Sequence, residues 1–416
     1  MNTSAFEKYE SEVRSYCRKF PVVFKTSKGS IVTDENGKEY IDFFCGAGAL
    51  NYGHNNDYIK SKVIDYMSGD GITHALDMYT DAKRDFIEFY QNNVLIPRGL
   101  DYKIMFPGPT GTNAVEAALK LARKVKGRSN VFALMGAFHG MTLGALALTT
   151  DVGSREGAGV PLCNVTHIPA PYMFPGLDTI EYMQTIINDD HSGIDKPAAL
   201  VIETTQAEGG VQVFSNEFLK AAEEFCHAND LLLIVDDIQV GCGRTGYFFS
   251  FERAGIKPDI FTQSKSIGGY GMPFALTLFK PELDIWSPGE HNGTFRGFQP
   301  SIVAAKAGLE VMLNEGTEER ARKIGARFEE LVPEIIAIDS RLAMRGIGCI
   351  WGIDFSAIDS TLAKKASAAC FERGLIAELA GRRDCVLKLM PSLLATDDEV
   401  TRAFEIIKEA VAAVLK

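Results

Sequence analysis

The stretch Leu231–Gln239 reads LLLIVDDIQ, an apolar run that ends abruptly in two acids. This pattern is typical of a buried strand that carries a carboxylate to the edge of a sheet, where ligands of α/β proteins bind. A second short strand is predicted at Ile260–Gln263, and Lys265 follows where that strand breaks into a glycine-rich turn. We therefore expect Asp236 and Lys265 to lie close together, at the ends of neighbouring strands.

An acid and a lysine in this arrangement are what a pyridoxal phosphate enzyme requires. The lysine amine binds the cofactor covalently, and the acid keeps the pyridine nitrogen protonated so that the ring can accept electrons. Acids also end strands as turn formers, and most lysines are solvated, so these two residues alone leave the simpler interpretation open. The rest of the chain has to decide between the two.

Composition favours small-molecule chemistry. The chain has 416 residues, of which 46% are hydrophobic and 23% charged, so it has room for two globular domains. The net charge of −11 argues against a nucleic acid or an anionic membrane surface as partner. The eight cysteines show no CxxC spacing and no histidine cluster, so neither a disulfide framework nor a metal site is predicted. With a polar amino terminus and no long apolar run, we expect a cytoplasmic protein.

The two ends of the chain are predicted to form a smaller domain together. Short β-like runs on either side of Asn36-Gly37 indicate a hairpin, and amphipathic helices, a strand near residues 349–355 and a final helix from Asp397 follow late in the chain. Residues 1–60 and 311–416 would form the small domain, and residues 61–310 the large one. The glycine-rich segment Cys45–His54 either lets backbone approach a ligand or is a tight surface turn.

A loop with glycines, Phe106–Asn113, opens a segment with apolar residues at helical spacing. Asn113 and Glu116 predict a capping box at the helix start. Free backbone N–H groups and the positive helix end favour an anion such as phosphate, and the hydroxyls of Thr110 and Thr112 add donors. The alternative is a well-capped helix without a ligand. No Gly-Lys-Ser/Thr follows, so the loop is not a P-loop.

Other predicted strands also end in residues suited to a cofactor. The strand Val131–Met135 precedes Phe138 and His139, which can either stack on a heteroaromatic ring or fill the core. A further buried strand ends in Glu203. The GxGxxG match at Gly241–Gly246 is not interpreted as a dinucleotide site, because aromatic residues rather than a helix follow it.

Six motifs in the same order make the chain resemble the class III (ω-amino acid) aminotransferases of pyridoxal phosphate fold type I. The resemblance covers essentially the whole chain and implies an α/β fold, with a central, mostly parallel seven-stranded sheet in the large domain and a smaller α+β domain. The motifs are GPTGTNAVEAALKLAR (108–123), AFHG (137–140), ETTQAEGG (203–210), DDIQVGCGRTG (236–246), SKSIGG (264–269) and GTFRGFQP (293–300).

The resemblance implies that Lys265 binds the cofactor and transfers protons, and that Asp236 is the partner of the pyridine nitrogen. Thr294 resembles the residue that reaches the phosphate of a neighbouring subunit, which implies a homodimer or a higher homo-oligomer with shared sites. The other implied cofactor contacts are Gly111 and Thr112 at the phosphate, Phe138 and Ile238 on the two ring faces, Gln239 at the ring hydroxyl, and His139 and Glu203.

The adjacent acids Asp236 and Asp237 can be told apart by strand geometry. Ile238 lies two residues from Asp236, so in an extended strand both side chains project from one face while Asp237 points away. This predicts Asp236 as the acid of the cofactor site. Asp237 stands where the family usually has Glu, a change that a position facing away from the ring tolerates.

Substrate binding is implied for Glu208 and Lys388. Glu208 matches the glutamate that in relatives pairs with, and releases, an arginine that binds the substrate carboxylate. Lys388 stands at the matching arginine position. A lysine holds a carboxylate as a point charge rather than as a bidentate fork. The sequence therefore leaves open whether Lys388 replaces that arginine.

Residues 43–56 and 105–120 most resemble the subfamily that exchanges an amino group between 2,4-diaminobutyrate and 2-oxoglutarate, on the way to ectoine or diaminobutyrate-containing products. The alternatives are a transaminase for ornithine or 4-aminobutyrate, an aminomutase of the same fold, and a pyridoxal phosphate-binding subunit without catalysis. The expected partners are amino acids, 2-oxo acids and a second copy of the chain, with no nucleic acid and no membrane.

Overall fold

The computed structural model describes residues 2–416. Its α-helices are α1 (Ser4–Tyr9), α2 (Tyr16–Lys19), α3 (Cys45–Gly48), α4 (Asp57–Ser68), α5 (Asp81–Tyr90), α6 (Gly111–Lys126), α7 (Leu143–Leu148), α8 (Val152–Glu156), α9 (Thr179–Asn188), α10 (Asn216–Ala228), α11 (Gln299–Glu315), α12 (Thr317–Ile338), α13 (Leu362–Glu372) and α14 (Asp397–Val414).

Its strands are β1 (Phe24–Lys28), β2 (Ile31–Asp34), β3 (Glu39–Asp42), β4 (Lys103–Met105), β5 (Val131–Leu134), β6 (Val165–Ile168), β7 (Ala199–Ile202), β8 (Thr205–Gln206), β9 (Gln212–Val213), β10 (Leu232–Asp236), β11 (Ile260–Gln263), β12 (Leu276–Phe279), β13 (Ala343–Ile347), β14 (Ile350–Asp354), β15 (Leu375–Ile376), β16 (Glu378–Ala380) and β17 (Val386–Leu389).

A seven-stranded sheet forms the centre of the large domain, in the order β4-β12-β11-β10-β7-β5-β6. β12 is antiparallel to both of its neighbours, and the other pairings are parallel. Strands buried on both faces are expected to be continuous apolar runs, and the segment before Asp236 is such a run. The predicted fold class, with its mostly parallel seven-stranded sheet, is confirmed.

Packing on both faces of the sheet explains why β10 tolerates no polar residue before its end. Leu233 and Val235 lie in the core that contains α11, whereas Leu232 and Ile234 lie in the core that contains α6. Successive side chains of a strand point to opposite faces, so each face receives an apolar layer. The first polar side chain of β10 is Asp236, at the carboxyl edge of the sheet.

The amino-terminal segment joins the carboxy-terminal part of the chain. β2 and β3 form the predicted hairpin around Asn36-Gly37, and β3 pairs in parallel with β15. A second large core contains Ile41 and Phe43 together with residues of α12 and α14. Tyr52, in contrast, packs in the core of the large sheet. The domain boundaries at residues 60 and 310 stay a prediction.

The cysteines and the helices give two further observations. All eight cysteines are free, and only Cys17 and Cys163 are exposed, as expected for reduced and mostly buried thiols. Among residues 2–416, no helix combines the length and the apolar character that crossing a membrane requires.

Candidate active site

A cavity of about 280 Å³ opens at the carboxyl edge of the large sheet. β10 runs parallel to β7 and β11, so the residues that follow these three strands meet at one edge. The cavity is lined by Thr110, Gly111, Thr112, Phe138, His139, Gly140, Met141, Glu203, Glu208, Asp236, Ile238, Gln239, Val240 and Lys265. Of the predicted site residues, Lys388 and Thr294 do not line it.

Asp236 is held at the cavity floor by neighbours on three elements. His139 Nδ1 donates to Asp236 Oδ2 at 2.7 Å, and Thr262 Oγ1 donates to Oδ1 at 3.3 Å. The backbone N–H of Ile238 also donates to Oδ1, at 3.1 Å. Burial disfavours a charged His139 ring, but the hydrogen bond to Asp236 and its charge raise the pKa of His139 above its usual value. The pair therefore presents a fixed carboxylate backed by a proton donor.

Asp237 points away from the cavity, as predicted, but the geometric reason given for it was wrong. β10 ends at Asp236, and Ile238 lies in a turn rather than in an extended strand. The Ile238 side chain nevertheless lines the cavity, because the turn folds back over Asp236. Asp237 Oδ1 accepts hydrogen bonds from the backbone N–H and the hydroxyl of Ser250. Burial raises the pKa of Asp237 well above its usual value.

Lys265 stands in a turn that is fixed on both sides. It has a left-handed backbone conformation with φ of 53°, which is uncommon for a residue with a side chain. The Ser264 hydroxyl donates to Phe274 O at 2.8 Å, and the Ser266 hydroxyl donates to Gly48 O at 2.6 Å. Burial lowers the pKa of the Lys265 amine, although Glu208 opposes this shift. A buried amine that loses its proton more easily is suited to act as a nucleophile and a base.

The start of α6 differs from the prediction. The helix begins at Gly111, no side chain caps its first turn, and the predicted capping box between Asn113 and Glu116 is wrong. Thr110 Oγ1 donates to Asn113 Oδ1 at 2.7 Å. Glu116 Oε1 instead accepts from the Thr142 hydroxyl at 2.6 Å. The first backbone N–H groups of α6 thus face the cavity without a capping side chain, as an anion site requires.

Glu203 lies deep in the cavity wall. Its two carboxylate oxygens accept from the backbone N–H groups of Phe138, at 3.1 Å, and Ala207, at 3.3 Å. Burial raises the pKa of Glu203 to about 7, and the neighbouring His139 opposes this shift. Glu203 therefore fixes the Phe138 turn through the backbone, and Phe138 itself lines the cavity.

Glu208 and Lys388 form a hydrogen-bonded ion pair. Gln239 Nε2 donates to the same Glu208 oxygen at 3.0 Å and to Ala47 O at 2.9 Å. Burial opposes ionisation of Glu208, but the charges of Lys388 and Lys265 and these hydrogen bonds lower its pKa. Glu208 is thus an ionised carboxylate in the cavity wall, with its cation behind it.

Sequence reasoning missed two side chains behind this pair. Lys388 Nζ also lies 3.0 Å from Glu378 Oε2, and the Tyr16 hydroxyl donates to Glu378 Oε1 at 3.0 Å. Glu378 is in the three-residue strand β16, and no motif surrounds it. The signal that finds it is strand register, because Glu378 and Lys388 are direct cross-strand partners. Met141, another cavity residue, follows the AFHG motif directly and was passed over.

The cavity fits pyridoxal phosphate by three features of its own residues. A Cβ built on Gly111 would lie 2.9 Å from Ile238 Cδ1, so a larger residue there would push the Ile238 side chain out of its place in the cavity wall. Gln239 Oε1 is buried without a hydrogen-bond partner among the described residues, and so needs a ligand or a water. Lys265 and Asp236 supply an amine and a carboxylate in the same cavity.

The family model "Aminotransferase class-III" matches residues 14–411. Proteins named diaminobutyrate–2-oxoglutarate transaminase from Nocardia farcinica and Streptomyces coelicolor are 52% and 53% identical; each match covers 98% of this chain, and 94% and 97% of the relative.

Solved structures agree with the fold. An ornithine aminotransferase from Toxoplasma gondii has a TM-score of 0.85 at 26% identity, covering 99% of this chain and 94% of that one. An S-selective transaminase from Arthrobacter has a TM-score of 0.88 at 20% identity, covering 99% and 97%, which shows a shared fold. The chain belongs to the class III aminotransferases and is a pyridoxal phosphate-dependent enzyme of that family.

Proposed function

We propose that this enzyme is a diaminobutyrate–2-oxoglutarate transaminase. It moves the terminal amino group of L-2,4-diaminobutyrate to 2-oxoglutarate, giving L-aspartate 4-semialdehyde and glutamate, and it also runs in reverse. The observation that carries the proposal is that relatives with this name are about half identical over nearly the whole chain. The placement of Lys265 and Asp236 in one cavity supports the reaction class.

Each group of residues around the cofactor site has a separate role. Pyridoxal phosphate, when bound, supplies the electron sink for the bond broken at the amino-bearing carbon. Asp236 holds a negative charge at the pyridine end, and His139 keeps that carboxylate oriented. The start of α6, at Gly111 and Thr112, would hold the phosphate through backbone N–H groups that no side chain caps. Phe138 and Ile238 line the same cavity, where they would pack against the ring and exclude water from its faces.

Lys265 is the group that moves the proton. With the cofactor bound, its Nζ would take the proton from the carbon that carries the amino group and return it two atoms away, across the nitrogen, on the cofactor side. A lowered pKa of this amine favours the unprotonated form that the first step needs. The Ser264 and Ser266 hydrogen bonds fix the turn on both sides of Lys265, so its amine would act from one position in both proton transfers.

Substrate exchange is proposed to use Glu208 and Lys388. Diaminobutyrate reacts through its terminal amine and enters with the pair closed. Glutamate and 2-oxoglutarate place a carboxylate inward, and this carboxylate displaces Glu208 from Lys388. The support is geometric, because Glu208 lies between the cavity and the buried Lys388. A charge-assisted contact between a desolvated carboxylate and an ammonium without a second anionic partner is worth about 1.5–3 kcal/mol, and Glu378 reduces this value at Lys388.

We further propose a homodimer in which Thr294 serves the phosphate site of the neighbouring chain. Thr294 lies in the exposed turn Thr294–Gly297 and does not line the cavity of its own chain. Gly293, next to it, lies close to Pro107 and Gly108 of the loop before α6. The cytoplasmic location stays a prediction from the sequence.

A donor panel tests the function. Purified enzyme is given 2-oxoglutarate and equal concentrations of diaminobutyrate, ornithine, 4-aminobutyrate and lysine, and glutamate formation is measured. We expect diaminobutyrate to have the highest kcat/KM, by at least about tenfold. A higher kcat/KM for ornithine or 4-aminobutyrate would place the enzyme with other ω-amino acid transaminases. Absence of glutamate with every donor would indicate an aminomutase or a non-catalytic subunit.

A further inference from the structure

Lys388 has two carboxylate partners, which come from different parts of the molecule. Glu208 belongs to the segment that follows β7, in the large sheet. Glu378 stands opposite Lys388 in the antiparallel pair β16–β17 of the four-stranded sheet β13-β14-β17-β16, called the small sheet from here on. Their side chains therefore leave the same face of this sheet. The Tyr16 hydroxyl covers the far side of Glu378 from α2. Glu378 is therefore fixed to Lys388 by strand register, whereas Glu208 is not.

Exposure ranks the three groups from the cavity inward. The Glu208 side chain is 29% exposed, Lys388 is 0% exposed and Glu378 is 3% exposed. Only Glu208 lines the cavity. A movement of Glu208 thus leaves Lys388 still paired with Glu378, so no isolated buried cation appears when the outer pair opens. An isolated buried cation would be costly, and Glu378 removes that cost.

Two carboxylates around one ammonium leave one negative charge at this end of the cavity. Diaminobutyrate carries two ammonium groups and one carboxylate, whereas glutamate and 2-oxoglutarate carry two carboxylates each. In a partly desolvated cavity, a net negative charge attracts the first substrate and weakens binding of the others. A single Glu208–Lys388 pair would be neutral and would show no such preference.

We propose, on the basis of the function above, that Glu378 is a specificity-determining residue. It neutralises Lys388 from behind and thereby favours the cationic diamino substrate over substrates that present a second carboxylate. Glu378 does not touch the substrate, so it acts through Lys388. The register that holds it in β16 makes this bias a fixed property of the small sheet rather than of a mobile side chain.

The test is Glu378→Gln in the holoenzyme, with both half-reactions measured. The amide keeps the shape and removes one negative charge. We expect the KM for glutamate to fall by about three- to tenfold and the KM for diaminobutyrate to rise by a similar factor. A second readout is calorimetric binding of glutarate, an unreactive dicarboxylate, which tightens by the same factor. Binding of its monoamide stays within about twofold.

Tyr16→Phe is the matched control. It removes the hydrogen bond to Glu378 and keeps the carboxylate charge, so the ratio of the two KM values is expected to stay within about twofold of wild type. A shift in Tyr16→Phe as large as in Glu378→Gln would show that packing, not charge, is responsible. A Glu378→Gln enzyme that binds glutamate more weakly, or with an unchanged KM ratio, would equally overturn the proposal.

Wild-type binding keeps the proposal testable even if Glu378→Gln does not fold. Glutarate is expected to bind the wild-type enzyme less than about threefold more tightly than its monoamide, because Lys388 is already neutralised. A preference above about tenfold for glutarate would contradict the role of Glu378. Neither ligand is an amino donor, so this result does not depend on the proposed function. The proposed function itself would fail if the wild-type enzyme did not turn over diaminobutyrate.

Discussion

At the residue scale, Asp236 and Asp237 are neighbours in the chain but have different surroundings. Asp236 lines the cavity and binds His139, whereas Asp237 binds Ser250 outside it. We expect Asp236→Asn to bind pyridoxal phosphate but to lower kcat at least about a hundredfold, because a neutral amide cannot keep the pyridine nitrogen charged. The matched control Asp237→Asn is expected to stay within a few-fold of wild type. Steady-state kinetics of both variants give the two kcat values. A lower kcat for Asp237→Asn than for Asp236→Asn would show that Asp237 is the acid of the cofactor site.

Glu203 makes stability depend on pH. Its pKa is raised from 4.5 to about 7 in the folded protein by burial. A carboxyl whose pKa is higher in the folded state stabilises the fold at low pH, and this contribution is lost as the pH rises through about 7. Glu203→Gln has no such loss. The free energy of unfolding of this variant, measured relative to that of wild type, should therefore rise by up to about 3 kcal/mol between about pH 4.5 and 7.5. Denaturant titrations of both apoproteins across this range measure the difference, and a constant difference would contradict the assignment.

A test of Lys388 as the carboxylate-binding residue needs a variant in which the net charge of the Glu208–Lys388–Glu378 cluster is kept. Lys388→Met alone would leave Glu208 and Glu378 facing each other without a cation, and unpaired buried charges destabilise the fold. The double variant Glu378→Gln/Lys388→Met removes one charge of each sign. Compared with Glu378→Gln, we expect its glutamate half-reaction to be about ten- to a hundredfold slower, whereas its diaminobutyrate half-reaction is not slowed. Pre-steady-state measurements of the two halves decide, and equal losses would mean that another cation holds the carboxylate.

At the element scale, the start of α6 depends on the absence of a side chain. A Cβ at Gly111 would come within 2.9 Å of Ile238 Cδ1, next to the expected phosphate end. We expect Gly111→Ala to weaken cofactor binding about tenfold while the fold is retained, since Ile238 has to shift. Gly157→Ala is the matched control, because a Cβ there meets nothing within 4 Å. Titration of the apoenzyme with pyridoxal phosphate gives the affinities, and equal values for both variants would contradict this role.

Elements with a local signal were predictable. The buried strands before Asp236 and Lys265 were found because continuous apolar runs end at polar residues, and the hairpin was found from Asn36-Gly37. The capping box failed because α6 begins at Gly111, before Asn113, and because Glu116 bonds instead to Thr142, which lies far along the chain. Local spacing shows which hydrogen bonds are available, but tertiary contacts decide which of them form.

At the scale of the whole molecule, the site combines segments that only the fold brings together. Asp236 ends β10, and Lys265 follows the adjacent strand β11, so the assumption that the two strands are neighbours was enough to predict that these residues lie close together. Glu208 comes from the turn after β8, Lys388 and Glu378 come from the small sheet, and Tyr16 comes from the amino-terminal helix α2. Their meeting depends on the pairing of β16 with β17 and on the docking of α2, for which the sequence has no periodic signal. The second partner of Lys388 was therefore missed.

The last prediction concerns the homodimer. If Thr294 completes the phosphate site of the partner chain, a dimer that combines a Lys265→Ala chain with a Thr294→Glu chain has one site with both residues intact. Each variant alone should be nearly inactive, because the first lacks the amine and the second places a negative charge against the phosphate. Random mixing makes about half of the dimers hybrid, each with one intact site in two, so co-refolded chains should regain about a quarter of wild-type activity.

A matched mixture separates this arrangement from a site built within one chain. Lys265→Ala chains co-refolded with Asp236→Asn chains should regain almost nothing, because Lys265 and Asp236 line the same cavity and therefore belong to the same site of one chain. In that hybrid, one site lacks the amine and the other lacks the acid. Recovery with Thr294→Glu but not with Asp236→Asn would support a shared site. Equal activity of the two mixtures would mean that Thr294 does not act across a subunit boundary.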